Sequence, residues 1–299
     1  MFAGCGTALV TPFRENQSLD EPTLRALVKR QIDSGIDFLV PCGTTGESPT
    51  LTREEHLRVV EITLEEAKGK VPVLAGAGGY NTAEVITLAL ELKALGVDGI
   101  LSVTPYYNKP TQEGLYQHYK AIASTAQLPI VVYSVQSRTG VNVEPATLKR
   151  LAELDYIVGV KEASGSISQM AQVVHHVPSN FAVLSGDDVV TIPLTALGGR
   201  GVISVVSNEI PAEMTQLTRA ALNGDFARAR EIQRKFIALM DVNFVESSPI
   251  PVKAALSMMG LLQPVWRLPL VPPSETNKSR IEKVLESLGL LAHISVHAS

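Results

Sequence analysis

Eight short apolar runs alternate with longer amphipathic stretches, and that alternation confines the chain to a parallel α/β architecture. The runs occupy residues 6–10, 38–41, 71–76, 99–104, 129–133, 157–161, 181–185 and 201–205, each rich in Val, Ile or Leu. Nearly continuous apolar character marks strands buried on both faces, as in parallel sheets covered by helices. Helix signals fill the gaps. Asp20 precedes Glu21-Pro22 and Gly35 ends that stretch; Thr52 and Glu55 make a capping box; Thr82, Thr111 and Glu144-Pro145 open three more helices, and Gly96 closes the one that Thr82 starts. Eight such units in 299 residues predict a (β/α)₈ TIM barrel, which typically takes ~250 residues. A doubly wound open sheet is the competing fold, but it carries a glycine-rich first turn that Gly6-Thr7-Ala8-Leu9 does not supply.

The pattern changes after Val206. Stretches 211–223, 225–241, 251–259 and 274–288 read as helices without further strands. The division expected is a barrel core over 1–206 and a C-terminal helical region over 207–299 that includes the last barrel helix. The tail from 293 to 299 is expected to fray.

Composition narrows the function class. A net charge of −4 gives no electrostatic footprint for nucleic acid, and no apolar run reaches the ~18 residues of a membrane span. Two cysteines, Cys5 and Cys42, fit a reducing cytoplasm rather than a disulfide framework. The apolar start lacks a basic segment and runs into Thr11-Pro12, so it reads as a first strand and not a signal peptide. Six scattered histidines show no ligand spacing, which predicts no protein-built transition-metal site. Gly76-Ala77-Gly78-Gly79 resembles a dinucleotide turn, but Asn81 stands where the third glycine belongs.

Chemistry on a TIM barrel sits at the C-terminal ends of the strands. Those positions hold Thr44 and Thr45, Tyr106 and Tyr107, Tyr133 with Arg138, Lys161, and Gly186-Asp187-Asp188. Lys161 follows Ile157-Val158-Gly159-Val160, at the lip of a buried strand. A lysine there is either a snorkelling or ion-paired residue, with Glu162 as the nearest partner, or an amine kept for covalent work. Hydroxyls, one guanidinium and one lysine without metal ligands favour imine chemistry on a small anionic carbonyl compound. Backbone N–H groups near Thr45 and Gly46 suit a carboxylate, and Arg138 suits a second one.

Several motifs carry a wider likeness: Gly43-Thr44-Thr45-Gly46-Glu47, Thr104-Pro105-Tyr106-Tyr107-Asn108, Ser137-Arg138-Thr139-Gly140 and Lys161-Glu162-Ala163-Ser164-Gly165. Leu184-Ser185-Gly186-Asp187-Asp188, 201–205 and 243–251 extend it. Together they resemble the pyruvate-dependent class I aldolase superfamily typified by N-acetylneuraminate lyase and, within it, the dihydrodipicolinate synthase family. The resemblance implies condensation of pyruvate with L-aspartate 4-semialdehyde in lysine biosynthesis, without a cofactor, in a cytoplasmic homotetramer. It implies Lys161 as the Schiff-base residue, with Tyr133, Thr44 and Tyr107 as a proton relay and Tyr107 lent by a neighbouring subunit. Thr45 is implied in holding the pyruvate carboxylate and Arg138 that of the semialdehyde, with Gly186 and Ile203 lining the site. Ser48, His56, Glu84 and Tyr106 match a regulatory L-lysine site, where Arg53 and Tyr80 replace the family's frequent His and Asn. Tyr133-Ser134-Val135-Gln136 departs from the family's Tyr-Asn-x-Pro, which frees the loop that carries Arg138. A sister enzyme joining pyruvate to another aldehyde is the competing activity, and a barrel kept as a sensor or scaffold is the non-catalytic one.

Overall fold

A computed structural model describes residues 2–291, so the tail expected to fray lies outside the described residues. Eight strands form one parallel sheet: β1 (Gly4–Ala8), β2 (Phe38–Val40), β3 (Leu74–Gly76), β4 (Gly99–Val103), β5 (Ile130–Ser134), β6 (Ile157–Glu162), β7 (Ala182–Ser185) and β8 (Gly201–Ser204). Hydrogen-bonded neighbours run β2-β1-β8-β7-β6-β5-β4-β3. The ring closes through one parallel bridge, Leu39 with Val73. Leu39 N–H donates to the Pro72 carbonyl at 2.9 Å and Gly76 N–H to the Pro41 carbonyl at 2.9 Å. The fold is the TIM barrel that the alternation predicts.

Each strand is followed by helix: α1 (Glu21–Asp33), α2 (Arg53–Ala67), α3 (Thr82–Leu95), α4 (Gln112–Ala126), α5 (Gln136–Thr139) with α6 (Pro145–Leu151), α7 (Ile167–His176), α8 (Thr191–Ala196) and α9 (Pro211–Leu222). α9 packs on β1 and β8. Three further helices follow, α10 (Phe226–Val242), α11 (Ile250–Met258) and α12 (Glu275–Leu288).

The period-2 alternation of strand side chains divides the core in two. Val131, Tyr133, Leu184 and Ile203 point into the barrel, where Phe2 packs edge-on to Phe38 at 5.7 Å. Ile130, Val132, Val183 and Val202 point outward, into the layer beneath the helices. Each such side chain contributes roughly 1.5–3 kcal/mol when fully buried, so a strand polar on either face would not hold this place. Lys161 falls on the inward register, beside Tyr133 and Leu184.

Most element ends differ from the expectation by a residue or two, and three of the differences have a visible cause. β1 starts two residues early because Gly4 pairs with Gly201, while Leu9 keeps only a bond to Val40 O at 3.0 Å beyond the ladder. β3 starts late because Pro72 has no N–H to donate. The cap of α3 is Asn81, whose side chain accepts from Ala83 N–H; the Thr82 hydroxyl instead meets His118 Nδ1 at 2.9 Å.

Candidate active site

Lys161 is the penultimate residue of β6 and is 5% exposed, with its side-chain nitrogen 4.3 Å from the centre of the Tyr133 ring. Tyr133 stands opposite it on β5, in register and equally enclosed. No carboxylate among the described residues pairs with Lys161. Glu162 points the other way, as strand alternation requires. Its Oε1 accepts from Ser164 N–H at 3.2 Å and Gln169 Nε2 at 3.0 Å, and burial pushes its carboxyl above the usual carboxylate range. The ion-paired reading of Lys161 is thereby removed.

A cavity of about 340 Å³ opens at this end of the barrel, lined by Tyr133, Arg138, Ala163, Gly186, Asp187 and Phe244 among others. Gly186 is there because nothing larger fits: a Cβ would stand 2.7 Å from the Ala163 Cβ and 3.3 Å from the Lys161 Cε. Its N–H donates to Glu162 O at 2.8 Å. Ile203 lies in the barrel floor. Asp188, fully buried, takes the N–H groups of Val205 and Val206 at 3.1 and 3.0 Å, which fixes the β7 loop to the end of β8.

Arg138 sits on α5, a four-residue turn that the sequence does not announce. The Thr139 hydroxyl stitches the turn, donating to Val135 O at 3.0 Å and accepting from Val141 N–H at 3.2 Å, and Gly140 ends it in the left-handed conformation. The guanidinium donates to Ser248 O at 3.1 Å, just before α11, and is otherwise open to solvent.

Thr44 and Thr45 occupy the tight turn after β2. Gly46 N–H donates to Gly43 O and Glu47 N–H to Thr44 O, both at 3.1 Å, and the Thr11 hydroxyl holds Gly46 O at 2.7 Å. Thr45 is buried and Thr44 half-buried. Beneath them Glu47 forms a wholly buried ion pair with Lys253 of α11. Lys253 also lies 4.5 Å from the Phe13 ring centre, and the Arg267 guanidinium is 4.1 Å from the same centre. Burial pulls the Lys253 ammonium down, against the pull of Glu47. Sequence reasoning missed this group, since 206 positions separate its partners.

The comparisons with known proteins bear on this geometry. The sequence model of the Dihydrodipicolinate synthetase family matches residues 1–288. The chain belongs to the dihydrodipicolinate synthetase family. The chain is 53% identical over 294 residues to a 4-hydroxy-tetrahydrodipicolinate synthase of Koribacter versatilis, covering 98% of each. Its fold superposes with a TM-score of 0.95 on dihydrodipicolinate synthase from Aquifex aeolicus, at 44% identity, covering 98% of this chain and 100% of that one. A TM-score of 0.96 relates it to the chloride-inhibited enzyme of Acinetobacter baumannii complexed with pyruvate, at 41% identity, covering 97% and 100%.

As a member of the dihydrodipicolinate synthetase family, the chain places its remaining predicted residues in two further regions. Tyr107 does not reach the cavity of its own chain: it is 88% exposed, with φ +68°. A bulky residue in that conformation is held there against its own preference. Ser48, His56 and Tyr106 line a separate cavity of about 280 Å³ with Arg53 and Gly76. His56 bonds Gly76 O at 2.9 Å, and burial pulls its imidazole down to about 4, which leaves it neutral at pH 7. Glu84 is outside that lining and accepts from Asn81 at 2.9 Å. Arg53 donates to Glu91 at 2.6 Å and Tyr80 meets Tyr106 edge-on at 5.2 Å. No group of three or more His, Cys, Asp or Glu among the described residues is arranged to hold a metal, and no described helix is long and apolar enough to cross a membrane.

Proposed function

We propose that this chain is a class I aldolase-type lyase that condenses pyruvate with L-aspartate 4-semialdehyde to 4-hydroxy-tetrahydrodipicolinate, in the diaminopimelate route to lysine. One observation carries the reading: an unpaired amine, Lys161, stands over the Tyr133 ring beside a cavity whose rim bears Arg138. The amine of Lys161 attacks the keto carbon of pyruvate, and water leaves to give the imine. Loss of a methyl proton gives the enamine, which adds to the aldehyde carbon. The substrate amine then attacks the imine carbon and displaces Lys161, closing the ring. Tyr133 donates the proton with which the carbinolamine hydroxyl leaves as water and is reprotonated through Thr44, the next hydroxyl in the relay.

The turn N–H groups at Thr45 hold the pyruvate carboxylate, and Arg138 holds that of the semialdehyde, with its Ser248 contact fixing the guanidinium plane. Gly186 leaves room for the reacting carbons and Ile203 lines the floor. Tyr107 completes the relay of a neighbouring subunit in a cytoplasmic homotetramer; its outward, left-handed placement supports this. The test is turnover of pyruvate plus aspartate semialdehyde, coupled to the next reductase and followed by nicotinamide oxidation. Turnover with a polyol aldehyde, and none with the semialdehyde, would transfer the chain to a sister activity.

The missing proline before Arg138 has a measurable consequence. Gln136 is the first residue of α5 and exposed, a position where proline is favoured. Gln136→Pro is expected to lower the Michaelis constant for aspartate semialdehyde by stiffening the turn, with kcat retained. A constant that does not move removes the idea.

A second reading is carried by the smaller cavity. Ser48, His56 and Tyr106 line it, and Glu91 neutralises Arg53, so a cationic amino acid meets no unpaired charge there. L-lysine is expected to bind and to lower turnover at millimolar concentration. Activity indifferent to it excludes this reading.

A further inference from the structure

The buried pair Glu47–Lys253 lies outside every role assigned above, yet it joins the C-terminal helices to the turn that carries Thr44 and Thr45. Both side chains are wholly buried. A buried ion pair is seldom more stable than apolar residues of the same volume, so stability alone does not account for one here. What such a pair does well is fix position, because each charge has one compensated location. Glu47 shows that fixation in its backbone: φ is +54°, its N–H is tied to Thr44 O at 3.1 Å, and its carbonyl takes the N–H and hydroxyl of Thr50 at 3.0 Å each. Around the turn there is no slack, since a Cβ at Gly46 would stand 3.1 Å from Cys42 N and Leu9 O. From the other side Lys253 is seated against Phe13 at 4.5 Å, and Arg267 against the same ring. Arg267 is held in turn by both oxygens of Glu55 at 2.6 Å.

We infer that Glu47 and Lys253 are positioning residues for imine formation, setting the Thr44-Thr45 turn at the height where it meets the pyruvate carboxylate and the proton relay. The inference rests on the roles proposed for Thr44 and Thr45. It assigns the C-terminal helices a part in the first half-reaction. Arg138 draws on the same segment through Ser248 O, five residues before Lys253, but by a separate contact. The two substrates therefore respond differently when the ion pair is changed.

The experiment compares Lys253→Met, Glu47→Gln and the double variant with the wild type, in the full chain. Thermal melting reports folding; borohydride trapping of the pyruvate imine reports its rate of formation; steady-state kinetics report each Michaelis constant. Lys253→Met alone strands a buried carboxylate and is expected to melt early. The double variant has no stranded charge and is expected to melt near the wild type. Its imine forms more slowly by on the order of 10²-fold, the effect of a displacement of about 1 Å at a reacting centre. The constant for pyruvate rises while that for aspartate semialdehyde stays unchanged. A stable double variant with wild-type trapping kinetics overturns the inference. So does a rise in both constants in step with lost thermal stability, which is the mark of a merely structural pair. A wild type that traps no pyruvate at Lys161 fails the site reading itself, and the inference with it.

Discussion

Lys161→Ala abolishes turnover and the borohydride-trapped pyruvate adduct together. Removing a covalent nucleophile from a site that acts as a unit costs on the order of 10⁵–10⁶-fold in rate. The fold is expected to tolerate the change. Lys161 has no ionic partner among the described residues, so no countercharge is stranded, and the amine's desolvation cost disappears with it. Lost contact between the side-chain stem and the Tyr133 ring opposes that gain. Mass spectrometry of the trapped protein settles the matter. An adduct that survives in the alanine variant moves the imine to another amine and ends the assignment of Lys161.

Tyr133→Phe has the second largest expected effect. It deletes one hydroxyl and keeps the ring beneath the Lys161 nitrogen, so the β5–β6 register and the barrel interior remain as they are. Loss of a positioned proton donor lowers kcat by about 10²–10⁴-fold. The Michaelis constant for pyruvate is expected to change far less, because the proposed reading gives the carboxylate to the Thr45 turn and not to the tyrosine. Imine trapping slows in proportion to kcat if the tyrosine serves dehydration. A variant with unaltered kcat reduces Tyr133 to a packing residue, and its hydroxyl leaves the relay.

Much of the barrel was legible because parallel strands covered on both faces leave continuous apolar runs, a signal that survives without any knowledge of partners. Strand ends were less so. Pro72 shortened β3 for a reason visible in the residue itself, whereas the early start of β1 depends on Gly4 meeting Gly201 from the far end of the barrel. α5 was invisible because four residues hold no period. Lys161 and Tyr133 stood out by their place at strand ends, and the fold puts them face to face. The outward placing of Tyr107 was foreseen only through the family likeness, since local sequence does not say which way an adjacent pair of tyrosines turns. The Glu47–Lys253 pair was beyond reach. Each residue alone reads as an ordinary surface charge, and only closure of the whole chain brings them together.

The barrel has one clasp. Every other pair of neighbouring strands shares two or more registered residues, but β2 and β3 share the single bridge of Leu39 with Val73, with one further bond from Gly76 N–H to Pro41 O. Closely packed backbones, not a ladder, hold that joint: Gly76 lies where a Cβ would stand 1.9 Å from the Cys42 carbonyl oxygen. Local opening follows the thinnest hydrogen bonding, so slow amide exchange around the hoop should break first at this joint. The smaller cavity is built over it, with Cys42 from one side and Gly76 from the other. Whatever settles there stiffens the hoop where it is softest, one turn away from Thr44 and Thr45.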